Sequence, residues 1–266
     1  MDLGDRMKQY EHINRNYLLN RVPMIIRIDG KAFHTFTKGM KKPFDSILQD
    51  TMQATMKYLC ENIQGAVFGY TQSDEITIFM YSTNRDANAW FDGNIQKIVS
   101  VAASMATLYF NKFFKEHVEY GFGIGAFDDD PISKIYCDRF NTALFDARVF
   151  NVPNENEARN CLIWRQLDAT KNSVQMLAQY HFPHKELQGL HGGQLQDKLM
   201  LEKSINWNDQ PTKFKRGSSC VKREVKIKTE NTESGIVIRK KWFVDNEMPI
   251  ITQKPEYFQL WVLKNV

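Results

Sequence analysis

Cysteine is scarce in this sequence, and the few present have no metal-binding spacing. Cys60, Cys137, Cys161 and Cys220 are the only thiols, and no two form a CxxC pair. That excludes a zinc ribbon or a disulfide-stapled scaffold and points to reduced thiols in a cytoplasmic protein. Long apolar runs are missing too: nothing approaches the roughly 18 residues of a membrane span. The opening Met1-Asp2-Leu3-Gly4-Asp5-Arg6 lacks the apolar core of a signal peptide. No membrane partner is expected. With only 14 glycines, 8 prolines and no repeat or low-complexity linker, collagen-like and wholly disordered classes are excluded. Charge of one sign is also lacking: the net is +4, from 35 Lys+Arg against 31 Asp+Glu, too little to argue for a nucleic-acid partner by itself. What is there is a globular composition, 42% hydrophobic and 25% charged, in 266 residues. That length suffices for one large domain or two closely joined ones.

Hydrophobic periodicity lays out the elements. Met7, Tyr10, Ile13, Tyr17, Leu18 and Leu19 predict an amphipathic helix over 5–20. Residues 24–29 are nearly all apolar, as in a central strand covered on both faces, with Arg27 the exception. A basic loop over 35–44 leads to a helix over 45–62, capped by Asp45 or Ser46. Strands over 65–70 and 75–81 flank the acidic turn Thr71-Gln72-Ser73-Asp74 as an antiparallel pair. The turn is not of the Asn-Gly kind, which suggests that function shapes it. A long helix is expected over 86–117, where Ala102, Ala103 and Ala106 allow close packing on a sheet. The apolar stretch holding Gly121, Gly123 and Gly125 reads as a strand without the spacing of a dinucleotide fingerprint. Residues 128–142 read as an irregular excursion whose three aspartates form a solvated turn. A strand over 145–152, a helix over 154–179, short helices over 184–190 and 193–203 and a polar loop over 206–219 follow. A β-hairpin over 220–245 turns near Glu233-Ser234-Gly235. The expected class is α+β: a ferredoxin-like split βαβ antiparallel sheet with helices on one face, then a C-terminal helical region and hairpin. The expected division is 1–152 and 153–266.

The chemistry concentrates where two strands deliver carboxylates. Met24-Ile25-Ile26-Arg27-Ile28-Asp29-Gly30 ends a buried strand in an acid and a glycine, and Asp74 sits in the acidic turn. Alone, either acid reads as an ordinary strand-end carboxylate. As a pair they suit two Mg²⁺ ions about 3.5–4 Å apart, which align a nucleophile with a nucleoside triphosphate. Mg²⁺ favours a few carboxylates plus phosphate oxygens and water. Glu75 is a candidate third catalytic acid, which strand alternation would turn to the other face. The Gly30 carbonyl is available to a metal, and the backbone from Lys31 through Ala32 and Phe33 to His34 can cradle phosphates. Lys42, Lys97 and Arg148 are candidates for neutralising the remaining charge. Arg27 is read equally as a phosphate ligand or a structural ion pair.

Seven elements, in order, resemble one family, the tRNA-His guanylyltransferases and Thg1-like proteins, which are 3′-5′ nucleotide polymerases. They are Arg27-Ile28-Asp29-Gly30-Lys31-Ala32-Phe33-His34, Lys42-Pro43-Phe44-Asp45, Gly69-Tyr70-Thr71-Gln72-Ser73-Asp74-Glu75, Phe145-Asp146-Ala147-Arg148, Trp164-Arg165-Gln166-Leu167-Asp168, Ile205-Asn206-Trp207-Asn208 and Phe214-Lys215-Arg216-Gly217-Ser218. The resemblance implies a polymerase-like palm with two Mg²⁺ held by Asp29, Gly30 and Asp74. It implies nucleotide contacts from residues 29–34, Lys42, Asp45, Ser73 and Asp74, and phosphate or tRNA contacts from Arg27, Lys97, Arg148, Asn172, Lys215 and Arg216. ATP or GTP would activate a tRNA 5′-monophosphate as an adenylylated or guanylylated end. The 3′-hydroxyl of GTP or another NTP would then attack that end. A homotetramer is the implied assembly.

One departure bears on the substrate. Where tRNA-His enzymes of the eukaryotic type carry H-I-N-N, this chain has Thr170-Lys171-Asn172-Ser173 and keeps only Asn172. Template-directed repair of 5′-truncated tRNA is therefore expected, with tRNA-His-specific G-1 addition as the alternative. A palm-type nucleotidyl cyclase would leave the polar-basic segments 164–173 and 206–223 without a use. A non-enzymatic ferredoxin-like RNA-binding module would lack the aromatic pair on a central strand and would set two acids against phosphate.

Overall fold

The computed structural model describes residues 1–84, 88–125, 132–228 and 236–263. In chain order the elements are α1 Leu3–His12, β1 Met24–Gly30, α2 Phe33–Phe36, α3 Ser46–Asn62, β2 Ala66–Gln72, β3 Glu75–Met80, α4 Ile95–Gly123, α5 Ile132–Cys137 and β4 Phe145–Asn151. Then come α6 Glu155–His181, α7 His184–Leu187, α8 Gly192–Lys203, α9 Thr212–Arg216, β5 Ser218–Lys228, β6 Ile236–Asp245 and α10 Glu256–Leu263. The strands form one antiparallel sheet in the order β4-β1-β3-β2-β5-β6. The first four strands follow the β-α-β-β-α-β order expected from the sequence. The sheet runs through both expected segments, because β5 adds to the free edge of β2.

Alternation along β1 explains the two cores. Met24, Ile26 and Ile28 face α3 and α4, while Ile25 faces the opposite side. On α4 a stripe every fourth residue, Ile98, Ala102, Ala106, Phe110, Phe114 and Val118, is fully buried. Its two alanines bring the helix close to the strands, as their size predicts. The second face is covered by Ala158, Cys161 and Leu162 of α6 and by Phe258 and Val262 of α10. The expectation of helices on one face is thereby corrected: the antiparallel strands are apolar on both sides, so both sides are covered. Further along α6, Val174, Leu177 and Ala178 build a satellite core with Leu195, Leu199 and Trp207.

Other expectations shift in detail. The first helix ends at His12, not near residue 20, and none of its residues is buried. Gly121 and Gly123 belong to the end of α4 rather than to a strand. Part of the 128–142 excursion is helical, as α5. The polar loop over 206–219 contains α9, and Ser218 and Ser219 are already buried in β5. The aspartates at 128–130 and the hairpin turn at 233–235 lie outside the described residues.

Candidate active site

The site forms where β1 ends. Asp29 stands directly across from Glu75 on β3 and from Asp146 on β4, so these three side chains leave the sheet on one face. Asp74 arrives from the two-residue turn between β2 and β3, where Gln72 pairs with Glu75. Ser73 takes a left-handed φ of 50° there, a conformation that favours glycine. The Gly30 amide donates to the Asp74 carbonyl at 3.1 Å, tying the two acidic segments together. Glycine is required at 30, because a Cβ would lie 2.2 Å from the Phe33 ring.

Burial raises the Asp74 carboxyl above its ordinary range and the Asp29 charge adds to the rise, against hydrogen bonds from its own amide and Ser73. Among the described residues no group of three His, Cys, Asp or Glu gathers as a metal cage. Two crowded carboxylates are a hard-oxygen donor set that suits Mg²⁺ completed by phosphate oxygens and water. Asp29 and Asp74, with the Gly30 carbonyl between them in the chain, are the residues that fit such an ion.

Glu75, expected on the other face, pairs with Asp29 across the strands, leaves the sheet on the same face and is held there by two guanidiniums. Arg27 Nη2 lies 3.0 Å from its Oε2 and Arg165 Nε lies 2.8 Å from its Oε1. The second approach is poorly angled for a hydrogen bond. Its strength is therefore mostly Coulombic. Burial pushes Glu75 up and the two guanidiniums, Arg165 first, pull it back. Arg165 also reaches Asp168 at 2.6 Å, and Trp164 takes Arg165 at 4.1 Å and Arg27 at 5.2 Å against its ring. Of the two readings of Arg27, the structure supports the ion pair. Arg165 and Trp164 were missed as site residues, although the Arg165–Asp168 spacing of three on a helix is a readable pairing signal.

The phosphate cradle is narrower than expected. The Lys31 amide is committed to the Leu144 carbonyl at 2.8 Å. The amides of Ala32, Phe33 and His34 form the first turn of α2, where helix geometry leaves N–H groups without intrahelical acceptors. The Phe33 side chain is buried against Phe36, Phe110 and Phe145, so only its backbone faces the site. The Lys31 and His34 side chains are exposed.

The other candidates divide by position. Asp45 caps α3 through Leu48 N at 2.9 Å and accepts from Tyr136 Oη. With Ser73 and Asn172 it lines a cleft beside the acidic turn. Arg148 lies level with Arg27 on edge strand β4, exposed and 3.6 Å from Asp146. Lys42 is exposed before the cis peptide bond to Pro43. Lys97 does not converge: it lies in the first turn of α4 at the Met24 end of the sheet, and Met24 is about 17 Å from Asp29 along β1. Lys215 is corrected to a buried structural cation, donating to the Asn208 carbonyl and lying 5.6 Å from the Trp207 ring. Arg216 is half-buried, and its carbonyl accepts from Tyr70 Oη at 2.8 Å.

Known proteins resemble this chain in sequence and fold. The family model described as tRNAHis guanylyltransferase matches residues 4–153. An uncharacterized protein, R259, of Acanthamoeba polyphaga mimivirus is 29% identical over 88% of this chain and 81% of its own. The tRNA(His) guanylyltransferase of Schizosaccharomyces pombe is 27% identical over 82% of this chain and 80% of its own. Among solved structures, a bacterial tRNA(His) guanylyltransferase (Thg1)-like protein in complex with ATP is 44% identical with a TM-score of 0.79, covering 98% of this chain and 99% of that one. One in complex with GTP is 40% identical with a TM-score of 0.76, covering 98% of each. The chain belongs to the tRNA(His) guanylyltransferase (Thg1) family of nucleotidyltransferases.

Proposed function

We propose that this protein adds nucleotides to the 5′ end of tRNA in the 3′-5′ direction, on strands β4-β1-β3-β2 serving as a polymerase-like palm. The observation that carries the reading is the delivery of Asp29 and Asp74 to one sheet end, tied by the Gly30–Asp74 hydrogen bond. Two Mg²⁺ ions bound by Asp29, Asp74 and the Gly30 carbonyl would polarise phosphoryl oxygens and align nucleophile and leaving group. The remaining roles fall to the chain itself. Gly30 leaves room for the Phe33 ring that anchors the turn, and the amides of Ala32, Phe33 and His34 donate to the triphosphate. The Arg27–Glu75–Arg165 cluster holds the strand pair behind Asp29 in register. Arg148 offers an exposed guanidinium to the RNA backbone. The tRNA 5′-monophosphate attacks the α-phosphorus of ATP or GTP and releases pyrophosphate, and the 3′-hydroxyl of an incoming nucleotide then attacks the activated 5′-phosphate and displaces AMP or GMP. A homotetramer is the proposed assembly.

Thr170 and Lys171 in place of the tRNA-His motif favour repair of 5′-truncated tRNA. G-1 addition to tRNA-His is the second reading, favoured by the names of the relatives. The test is to incubate the protein with Mg²⁺, ATP, GTP and either intact tRNA-His or tRNAs lacking their 5′ nucleotide. Extension of truncated tRNAs is expected, with a loss of at least about 10²-fold in Asp29→Ala and Asp74→Ala. Extension of tRNA-His alone would replace repair with G-1 addition. A cyclic nucleotide formed without RNA, or full activity in both variants, would refute the proposal.

A further inference from the structure

A cleft of about 70 Å³ opens beside the Ser73–Asp74 turn, between the start of α3, the middle of α6 and α9. Its lip is aromatic: Phe44 and Phe214 stack with centroids 5.0 Å apart and planes 7° from parallel. Leu48 and Met176 give it apolar walls. Gln49 also lines it, is only 6% exposed, and has a buried Nε2 with no hydrogen-bond partner. A buried amide donor without an acceptor is costly, and native proteins keep few of them.

Three of the neighbouring polar groups are committed elsewhere. Ser173 takes the Trp207 indole N–H at 3.1 Å and contacts the Lys215 carbonyl at 3.1 Å. Asn172 Nδ2 donates to Asp168 at 3.3 Å. Lys213 pairs with Asp50 at 2.9 Å and lies 5.3 Å from the Phe214 ring, which places a cation at the mouth. Gln49 is thus a buried carboxamide donor lining this cleft that is left without an acceptor. An apolar slot with an aromatic lip, one buried donor and a cation at the entrance matches a flat heteroaromatic ring that carries an edge acceptor and a phosphate.

We propose that this cleft is a nucleobase subsite, in which Gln49 Nε2 donates to a ring nitrogen or exocyclic oxygen of the base and so selects among bases. The proposal rests on the reading that the adjoining acidic site works on nucleotides. Two sources share this chemistry: the base of a free nucleoside triphosphate and the 5′-terminal base of the tRNA. Gln49→Leu removes the donor at similar volume. Met176→Trp fills the cleft from a partly exposed position that the core does not need.

Binding of ATP, GTP and inorganic triphosphate is measured by calorimetry on wild type and both variants, with melting curves as the folding control. A weakening of about 3- to 10-fold for ATP or GTP, the loss of one hydrogen bond, is expected with triphosphate binding unchanged. If both nucleotides bind as before but a 5′-truncated tRNA binds more weakly, the base belongs to the tRNA and the subsite stands. Unchanged binding of ATP, GTP and tRNA in both variants overturns the subsite, as does an equal weakening of inorganic triphosphate. Failure of the wild-type protein to extend any tRNA would remove the proposed function, while the calorimetric arm would still decide the cleft.

Discussion

Glu75 is 6% exposed and meets two guanidiniums on side chains that are themselves 18% and 4% exposed. Replacing it by an uncharged isostere leaves Arg27 and Arg165 desolvated without their counter-charge. Removing one partner of a buried ion pair is far costlier than never having had the pair. Glu75→Gln is therefore expected to lower the urea-unfolding free energy by about 3 kcal/mol. A change under about 0.5 kcal/mol would show that Asp168 and solvent already balance the arginines. A second residue sets a pH response. Thr51 Oγ1 donates its only proton to the Ile47 carbonyl at 2.7 Å, so its 2.9 Å contact with His117 Nδ1 requires Nδ1 to carry hydrogen. Burial lowers the His117 pKa below its ordinary 6.5, against the nearby Asp50 and Glu116 charges. The unfolded chain thus takes up a proton at a pH where the folded chain refuses it. Stability is full above about 6.5 and is lost as pH falls through that value toward the depressed folded pKa. Melting temperatures taken from pH 8 to pH 5 are expected to fall less in His117→Gln, which keeps a donor for Thr51. Parallel curves would exclude His117 as the cause.

At the scale of elements, the strand-turn junction after Asp29 depends on one glycine and the aromatic ring beneath it. In Gly30→Ala the new Cβ meets Phe33 at 2.2 Å, and that ring is held by Phe36, Phe110 and Phe145 at 4.9, 5.4 and 5.1 Å. The ring cannot move without opening the cluster. The expected cost is about 1–3 kcal/mol of stability, with a larger loss of nucleotide addition because Asp29 shifts with the turn. Phe33→Leu in the same chain makes room for the methyl and is expected to restore part of both. An additive double mutant, measured by unfolding and by 5′ extension, would place the strain elsewhere. This junction also shows what a sequence yields. Asp29-Gly30 at the end of an apolar run was legible, because period and turn chemistry are local signals. The committed amide of Lys31 was not, since its acceptor, Leu144, lies 113 positions away. The burial of Lys215 was equally hidden: its basic neighbours read as surface, and only packing against Trp207 shows otherwise.

Across the whole molecule, the two ends of the described chain make opposite contributions, and periodicity gave opposite signals for them. The pattern over 5–20 promised a packed helix, yet α1 buries none of its residues. Residues 246–263 drew no element expectation at all. There Phe258 and Val262 of α10 are 1% and 4% exposed and cover Phe68 and Phe79 on the second sheet face. Local amphipathicity says that a helix has an apolar side but not what meets it. Gln166 shows the tertiary tie that the sequence left invisible: its Nε2 donates to the Pro249 carbonyl and its Oε1 accepts from the Ile251 amide, both at 2.9 Å. Truncation separates the two ends experimentally. Removing residues 1–13 takes no buried side chain from the fold, so the unfolding free energy of the monomer is expected to change by less than about 0.5 kcal/mol. Ending the chain at Pro255 uncovers the part of one sheet face that α6 does not cover and forfeits two buried apolar side chains, together about 3–6 kcal/mol, a large share of a typical domain's stability. The shortened chain is expected to aggregate or to melt well below the intact protein. Should the N-terminal deletion prove the more damaging at concentrations where the chain is monomeric, α1 would have to pack on its own sheet in solution, and the division of labour between the two sheet faces would need redrawing.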